Sequence, residues 1–152
     1  MTVYSTTLIL HNILRWIVLL AGIVAAGKAI IGWTGRRPWT TGDGQLGLLF
    51  TISMDLQVLI GLLLYFILSP ITTSNFSNFG EAMGNADVRF FLVEHSILMI
   101  VALILAHIGR SRSKKADTNQ ARHRAAAIFF TLAIVAVLLA IPWTGRPLLR
   151  LS

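Results

Sequence analysis

Two side chains with chemical potential lie one helical turn apart near the start of the chain. His11 and Arg15 are four residues apart, so on a helix they share one face. Both lie inside an apolar run, residues 8–31, that is long enough to cross a membrane. An arginine at the centre of a spanning helix costs about 2.5–3.5 kcal/mol to insert. Residues this costly are usually held by a partner, so the first question is what binds this pair.

The composition of the chain is that of a membrane protein. Of its 152 residues, 55% are hydrophobic and only 12% are charged, and the mean hydropathy is +0.74. A soluble domain would carry roughly twice that charged fraction. The net charge of +7 is concentrated in short loops, which fits membrane topology better than nucleic-acid binding. Cysteine is absent, which excludes disulfides, thiol catalysis, iron–sulfur clusters and c-type haem attachment.

Four apolar runs of spanning length fill nearly the whole chain, at residues 8–31, 46–68, 90–108 and 125–141. This pattern predicts one all-α domain over residues 1–152, a membrane-spanning four-helix bundle with up-down-up-down topology. Residues 1–7 contain no basic segment, so we expect no cleaved signal peptide. Alanines recur every four residues in the first run and predict a seam for close helix packing: Ala21, Ala25 and Ala29.

Basic residues predict how the bundle is oriented. The loops after the first and third runs carry Arg36, Arg37 and a basic cluster within residues 109–124. The loop after the second run carries Arg89 at its end. The positive-inside rule therefore predicts that the loops after the first and third runs face the cytoplasm. Both termini and residues 71–88 would then face outside.

A second histidine lies at nearly the same predicted depth as His11. Under this topology the first and third spans run in the same direction. His11 lies about 5 Å, and His95 about 8 Å, from the outer ends of their runs. Two imidazoles at one depth on two helices are what axial ligation of a b-type haem requires. Arg15 and Arg89 flank this level and could neutralise the two haem propionates.

Other interpretations of these residues stay open. A single intramembrane histidine is often only an interhelical hydrogen-bond donor. Glu94, next to His95, could pair with Arg15, so that the histidines merely line a polar core or relay protons. Asp55, near the middle of the second run, could pair with Arg15 or serve as a site for a quinone head group or a proton.

A second haem is disfavoured. His107 lies about 18 Å deeper than His95 and is rotated by about 120° around the helix. Its only counterpart at that level is His123, which the sequence places in a solvated basic loop beside the lipid head groups. We therefore expect one haem. The uncharged fourth run predicts packing rather than chemistry.

The chain resembles small bacterial integral-membrane proteins identified as cytochrome b, typical of Bacteroidetes-type genomes. The resemblance is collinear over nearly the whole chain and rests on six segments: His11-x-x-x-Arg15-Trp16, Gly42-Asp43-x-x-Leu46-Gly47-Leu48, Asp55-Leu56-Gln57-x-Leu59-Ile60-Gly61-Leu62-x-Leu64-Tyr65-Phe66, Val93-Glu94-His95, Arg112-Ser113-Lys114-Lys115-Ala116 and Ile141-Pro142-Trp143-x-Gly145-Arg146. It implies a four-helix membrane protein with a haem role. Several members carry a histidine where this chain has Asp55, which leaves His11 and His95 as the ligand pair.

These observations lead us to expect a haem b-binding electron-transfer protein of the bacterial inner membrane. Electrons would pass from quinol in the bilayer to an outer-side acceptor, with the chain as a subunit of a larger redox complex. The alternative is a haem-free accessory subunit of a respiratory or photosynthetic complex, in which a buried polar network fixes helix register. The members of that network would be His11, Arg15, Glu94 and Asp55. A transporter is less favoured, because the sequence has no inverted repeats or matched broken helices.

Overall fold

The computed structural model describes residues 2–143, and every regular element in this part of the chain is a helix. The α-helices are, in chain order, α1 (Val3–Thr34), α2 (Thr41–Leu63), α3 (Pro70–Thr73), α4 (Phe79–Ala82), α5 (Ala86–Arg89), α6 (His95–Lys115) and α7 (Asn119–Ala140). Two π-helical turns complete the set: Leu64–Leu68 continues α2, and Phe90–Glu94 leads into α6.

Four helical stretches are long and apolar enough to cross a membrane: Val3–Thr34, Thr41–Leu68, Ala86–Lys115 and Asn119–Ala140. Each contains a window of mean hydropathy between 2.0 and 2.2. Large apolar side chains, including those of Leu20, Leu59 and Leu139, lie exposed on the outside of the bundle. Such a surface suits contact with lipid, where apolar side chains lose nothing by exposure. The predicted all-α four-helix architecture is confirmed, and the chain is a multi-pass membrane protein.

The four long helices pack around a common centre. Helix α1 packs against α2 and α7, and α6 packs against the same two helices, so α1 and α6 lie diagonally across the bundle. The chain reverses direction at residues 35–40, at residues 69–89 and at residues 116–118. Two reversals separate α1 from α6, so these two helices run parallel. We call the end with residues 35–40 and 116–118 the basic end. The opposite end, which holds residues 69–89, is the loop end.

Three of the long helices begin ahead of the apolar runs that predicted them. Helices α1 and α2 start five residues earlier, and α7 starts six residues earlier. At each start a threonine hydroxyl accepts a hydrogen bond from a backbone N–H of the first turn, which is a favourable N-cap. These caps are Thr2, Thr40 and Thr118. Polar first turns stabilised in this way lie outside a hydropathy window, so the apolar pattern underestimated helix length.

The segment predicted as a basic loop at residues 109–124 is mostly helical. Helix α6 continues to Lys115 and α7 begins at Asn119, which leaves only residues 116–118 as a connection. The prediction that His123 is solvated is wrong, because this residue is 2% exposed. Its ring lies 4.9 Å from the Trp39 ring between centroids. The histidine is buried because α7 has already begun to pack against α1 at this level.

Small residues bring α1 and α7 into close contact. The predicted alanine seam is buried, with Ala21, Ala25 and Ala29 at 7%, 4% and 4% exposure. A methyl group on Gly22 would overlap Ile134, and one on Gly32 would overlap the His123 ring. Both glycines therefore act as sockets for α7 side chains. Where lipid is as apolar as the core, this van der Waals contact is a main source of helix association.

The Gly32 socket can be tested with a matched pair of variants on one helix. We expect Gly32→Ala to lower the free energy of unfolding by about 1–3 kcal/mol, because the methyl collides with the enclosed His123 ring. At Gly27 no atom lies within 4 Å of an added methyl, so Gly27→Ala should be neutral or stabilising by up to about 1 kcal/mol. Thermal unfolding in detergent, followed by circular dichroism, compares the two. Equal unfolding temperatures would contradict the close packing.

Candidate haem site

A cavity of about 550 Å³ lies between the long helices toward the loop end. Its volume is within the roughly 300–1,000 Å³ typical of small-molecule and cofactor sites. Most of the lining is apolar and comes from all four long helices and both π-helical turns. Among the described residues, eight polar side chains of the spans line it: Tyr4, His11, Asn12, Arg15, Gln57, Tyr65, His95 and Ser96.

The two predicted ligand histidines meet in this cavity. The ring centroids of His11 on α1 and His95 on α6 are 6.3 Å apart, with the planes inclined at 65°. The diagonal position of α1 and α6 lets the two rings meet across the centre of the bundle. Metal–imidazole bonds of about 2 Å on opposite sides of one ion would place two ring centroids roughly 6 Å apart. The observed centroid separation agrees with this distance, while the nitrogen of His11 that has no partner among the described residues, Nδ1, is buried beside Gly61 of α2.

His95 is held by the end of α7. Its Nδ1 donates a hydrogen bond of 2.8 Å to the backbone carbonyl of Ala140, the last residue of that helix, where carbonyls lack intrahelical partners. In a neutral imidazole this bond fixes the proton on Nδ1 and the lone pair on Nε2. Within residues 2–143, Nε2 has no hydrogen-bond partner. Metal-binding histidines are usually oriented in this way.

His11 is held by Gln57 of α2. The Nε2 atoms of the two side chains lie 3.2 Å apart, while Nδ1 of His11 and Oε1 of Gln57 are buried without partners among the described residues. A half-turn of the amide exchanges its nitrogen and oxygen. In that orientation Oε1 accepts the Nε2–H of His11, and the lone pair lies on Nδ1. Each histidine thus has one ring nitrogen in a hydrogen bond and the other without a partner.

Two π-helical turns border the cavity. The Tyr65 hydroxyl in the first donates a hydrogen bond of 3.0 Å to the carbonyl of Leu92 in the second. The Ser96 hydroxyl donates one of 2.9 Å to the carbonyl of Phe91. Single π turns inside long helices are uncommon and frequently occur at functional sites. His95 directly follows the second π turn, so this irregularity sets the direction of a predicted ligand.

The two arginines predicted as propionate partners occupy different positions. Arg15 lines the cavity, and its guanidinium carbon lies 5.5 Å from the Trp16 ring centroid. Arg89 is not among the residues found lining it. Its Nε lies 2.9 Å from Oε1 of Glu94. Glu94 therefore pairs with Arg89. The pairing of Glu94 with Arg15, which was one alternative from the sequence, is not the one observed.

Asp55 is paired with His107. The sequence places Asp55 near the middle of the second run and His107 at the end of the third, so residue counting did not predict that they would meet. Oδ1 of Asp55 lies 2.7 Å from Nε2 of His107, and both side chains are 49% exposed. The alternative pairing of Asp55 with Arg15 is therefore not the one observed. Side chains lean toward the N-terminus of their helix, and α2 and α6 run in opposite directions. Asp55 and His107 thus lean toward each other, which counting residues along straight helices does not capture.

Three groups that hold the site were missing from the predicted set. Gln57 carries a signal, since it is a long polar side chain inside an apolar run. Tyr65 lies near the end of the same run. The Ala140 carbonyl carries no sequence signal, because every residue has a carbonyl group.

The donor set suits a haem better than a bare metal ion. Among residues 2–143, no three His, Asp or Glu side chains are grouped to hold a metal. A haem iron needs only axial ligands from the protein, because the porphyrin nitrogens supply its other ligands. Within the same residues, His107 and His123 make separate contacts with Asp55 and Trp39, so they form no second ligand pair.

Comparison with known proteins found no match to a family model, to a curated protein or to a solved structure.

The tautomer of His95 is a direct test of this geometry. At a pH where the imidazole is neutral, we expect the proton on Nδ1, because that atom donates to the Ala140 carbonyl. Long-range ¹H–¹⁵N correlation NMR of the ¹⁵N-histidine-labelled, haem-free protein distinguishes the two tautomers. The signal missing from His95→Ala identifies the residue. A proton on Nε2 would mean that the contact with α7 is absent.

Proposed function

We propose that this chain binds one b-type haem between His11 and His95 and carries single electrons in a membrane. One observation carries the proposal. Two imidazoles stand 6.3 Å apart by their centroids, each with one nitrogen engaged and the other without a partner. A haem bound there would supply reversible one-electron chemistry at its iron.

The surrounding residues have roles that suit this group. The Ala140 carbonyl orients His95 and raises the basicity of its ring, as outer-shell partners of metal-binding histidines do. Gln57 does the same for His11. Arg15 is the only lysine or arginine among the described lining residues, so it is the candidate partner for a propionate. The apolar lining excludes water, which helps set a redox potential.

The proposal extends to the electron donor, the electron acceptor and the complex in which the chain would act. Electrons would come from quinol in the lipid phase and leave to an acceptor at the loop end, outside the cytoplasm, in a bacterial inner membrane. The chain would act as a subunit of a redox complex. Two features support this: the described residues are almost entirely taken up by the bundle, and most of the lysines and arginines among residues 2–143 lie toward the opposite end.

A haem-free accessory subunit is the alternative. That interpretation requires one buried polar network that fixes helix register. The described contacts instead divide its predicted members among separate partners. His11 contacts Gln57, Glu94 contacts Arg89 and Asp55 contacts His107. This division favours the haem proposal over a single structural network.

A reduced-minus-oxidised optical spectrum tests the proposal. The purified protein, supplied with haemin if it is isolated without haem, should give a b-type α-band with one haem per chain. The band should vanish in His11→Ala and in His95→Ala, because each removes an axial ligand. His107→Ala is the matched control and should keep the band. A folded protein that takes up no haem, or a band that survives both ligand substitutions, would refute the proposal.

The role of Gln57 gives a graded prediction. Gln57→Leu keeps the size of the side chain but removes the hydrogen bond to His11, and we expect haem affinity to fall by about 10–100-fold. Ser53→Ala is a nearby control on α2, since that buried hydroxyl bonds only to the carbonyl of Phe50 in its own helix. Haemin titration followed by absorbance measures both. Equal affinities in the two variants would show that Gln57 does not hold the ligand.

A further inference from the structure

Asp55 and His107 form a polar pair on the outer surface of the bundle, where lipid is expected. Asp55 lies at the middle of the span Thr41–Leu68. His107 precedes the end of α6 by eight residues, or about 12 Å. The pair therefore lies in the half of these spans toward the basic end, with His107 one residue before the end of its apolar run at residue 108. An ionisable pair exposed to hydrocarbon is costly and usually functional.

Toward the loop end the surroundings of the pair are apolar. Neighbouring exposed side chains on that side are large and aliphatic: Ile52, Leu56, Leu59, Ile100 and Ile104. Arg110 and Ser111 lie one turn beyond His107 toward the basic end, so the pair is a small hydrogen-bonding site at the edge of a hydrocarbon surface. A molecule that covers it needs a compact polar group on an otherwise apolar body.

The chemistry of the pair is that of an oriented base. Oδ1 of Asp55 accepts the proton of Nε2 of His107 over 2.7 Å, so the lone pair of the neutral ring lies on Nδ1. Within the described part of the chain, neither Nδ1 of His107 nor Oδ2 of Asp55 has a hydrogen-bond partner. A carboxylate that orients an imidazole is a recurrent arrangement for holding a hydroxyl group and accepting its proton.

A partner helix is a poor occupant for this surface. Helices pack closely in membranes through small residues. Five small residues of α2 and α6 are already buried inside the bundle: Gly47, Ser53, Ala102, Ala106 and Gly109. Ser111 is an exposed small residue near the pair, one turn beyond His107. The bulky aliphatic side chains around the pair would hold another backbone away. A slender molecule dissolved in the lipid has no such restriction.

We propose that Asp55 and His107 bind the hydroxyl head group of a lipid-soluble quinol that approaches sideways from the bilayer. A quinol hydroxyl donates to Nδ1 of His107, and Asp55 keeps the ring oriented. The choice of a quinol among hydroxyl-bearing lipids rests on the proposed electron-transfer function. Gln57 lies two residues from Asp55, about 3 Å along α2, and faces the cavity. The bound head group therefore lies across one helix from the histidine pair.

The test uses the full chain in lipid nanodiscs without added haem, so that it is independent of haem binding. The probe is a quinol with a decyl tail, and the control ligand is its dimethyl ether, which has the same shape but no O–H. Titration is followed through the ¹⁵N signals of His107 and by equilibrium binding. The variants are Asp55→Asn and His107→Ala, with Gln45→Ala as a control for an exposed polar residue on α2.

We expect saturable binding of the quinol, a shift of the His107 signals, and a loss of affinity of about 10-fold or more in both variants. His107→Ala removes the acceptor of the quinol hydroxyl, and Asp55→Asn removes the negative charge that orients the ring and strengthens that bond. Gln45→Ala should bind normally, and the dimethyl ether should not compete. Unfolding temperatures verify that each variant is folded, and His107→Gln replaces His107→Ala if the latter is not.

Three results would overturn the inference. The first is equal quinol affinity in all variants, and the second is equal binding of the dimethyl ether, which would indicate an apolar site such as the loop-end cavity. The third is a wild-type dimer that Asp55→Asn dissociates, which would assign the pair to a protein contact. A normal haem spectrum together with any of these would leave the proposed haem function intact. Quinol binding by a protein that takes up no haem would refute only that function.

Discussion

The close approach of α1 to α7 is the contact on which the rest of the bundle depends. Alanines and two glycine sockets on α1 let side chains of α7 enter, and the seam ends at Ala21. Nearer the loop end, α1 residues line the cavity instead. The bundle is tightly packed at one end, and at the other it holds a cofactor-sized space bordered by the two π-helical turns.

The polar side chains in the spans form a small set of bonds between neighbouring helices. His95 joins α6 to the end of α7, and His11 joins α1 to α2. Asp55 joins α2 to α6. Near the basic end, Nζ of Lys28 lies 3.2 Å from Oδ1 of Asp43, again between α1 and α2. Each bond joins one pair of neighbouring helices, and the bonds are separate from one another.

Helix α2 has a special place in this arrangement. Gln57 turns inward to the histidine pair, and Asp55 turns outward to His107, only two residues away. One helix thus supports both the cavity and the lipid-facing pair. The same helix ends in a π turn whose Tyr65 is bonded to the opposite π turn. This hydrogen bond joins the two π turns beside the cavity at the loop end.

Several features were predictable because they depend on local composition. The apolar runs predicted four spans, and the match in depth between His11 and His95 predicted that the two rings would be neighbours. Helix ends were less predictable, since the caps at Thr40 and Thr118 outweigh the polarity of the turns that follow. His123 was misplaced for the same reason, because a helix that begins early carries its first polar residues into the packed interface.

The fold class, the number of spans and the proximity of the two histidines can be predicted from the amino-acid pattern. These follow from hydropathy and helical periodicity, which are properties of short segments. The partner of each polar group depends instead on how the helices pack against one another. Glu94 pairs with Arg89, Asp55 with His107 and His11 with Gln57. Those choices depend on helix crossing, on the direction in which side chains lean and on π turns. A difference of a few ångströms between helices selects one partner over another, and no segment of the chain encodes that difference alone.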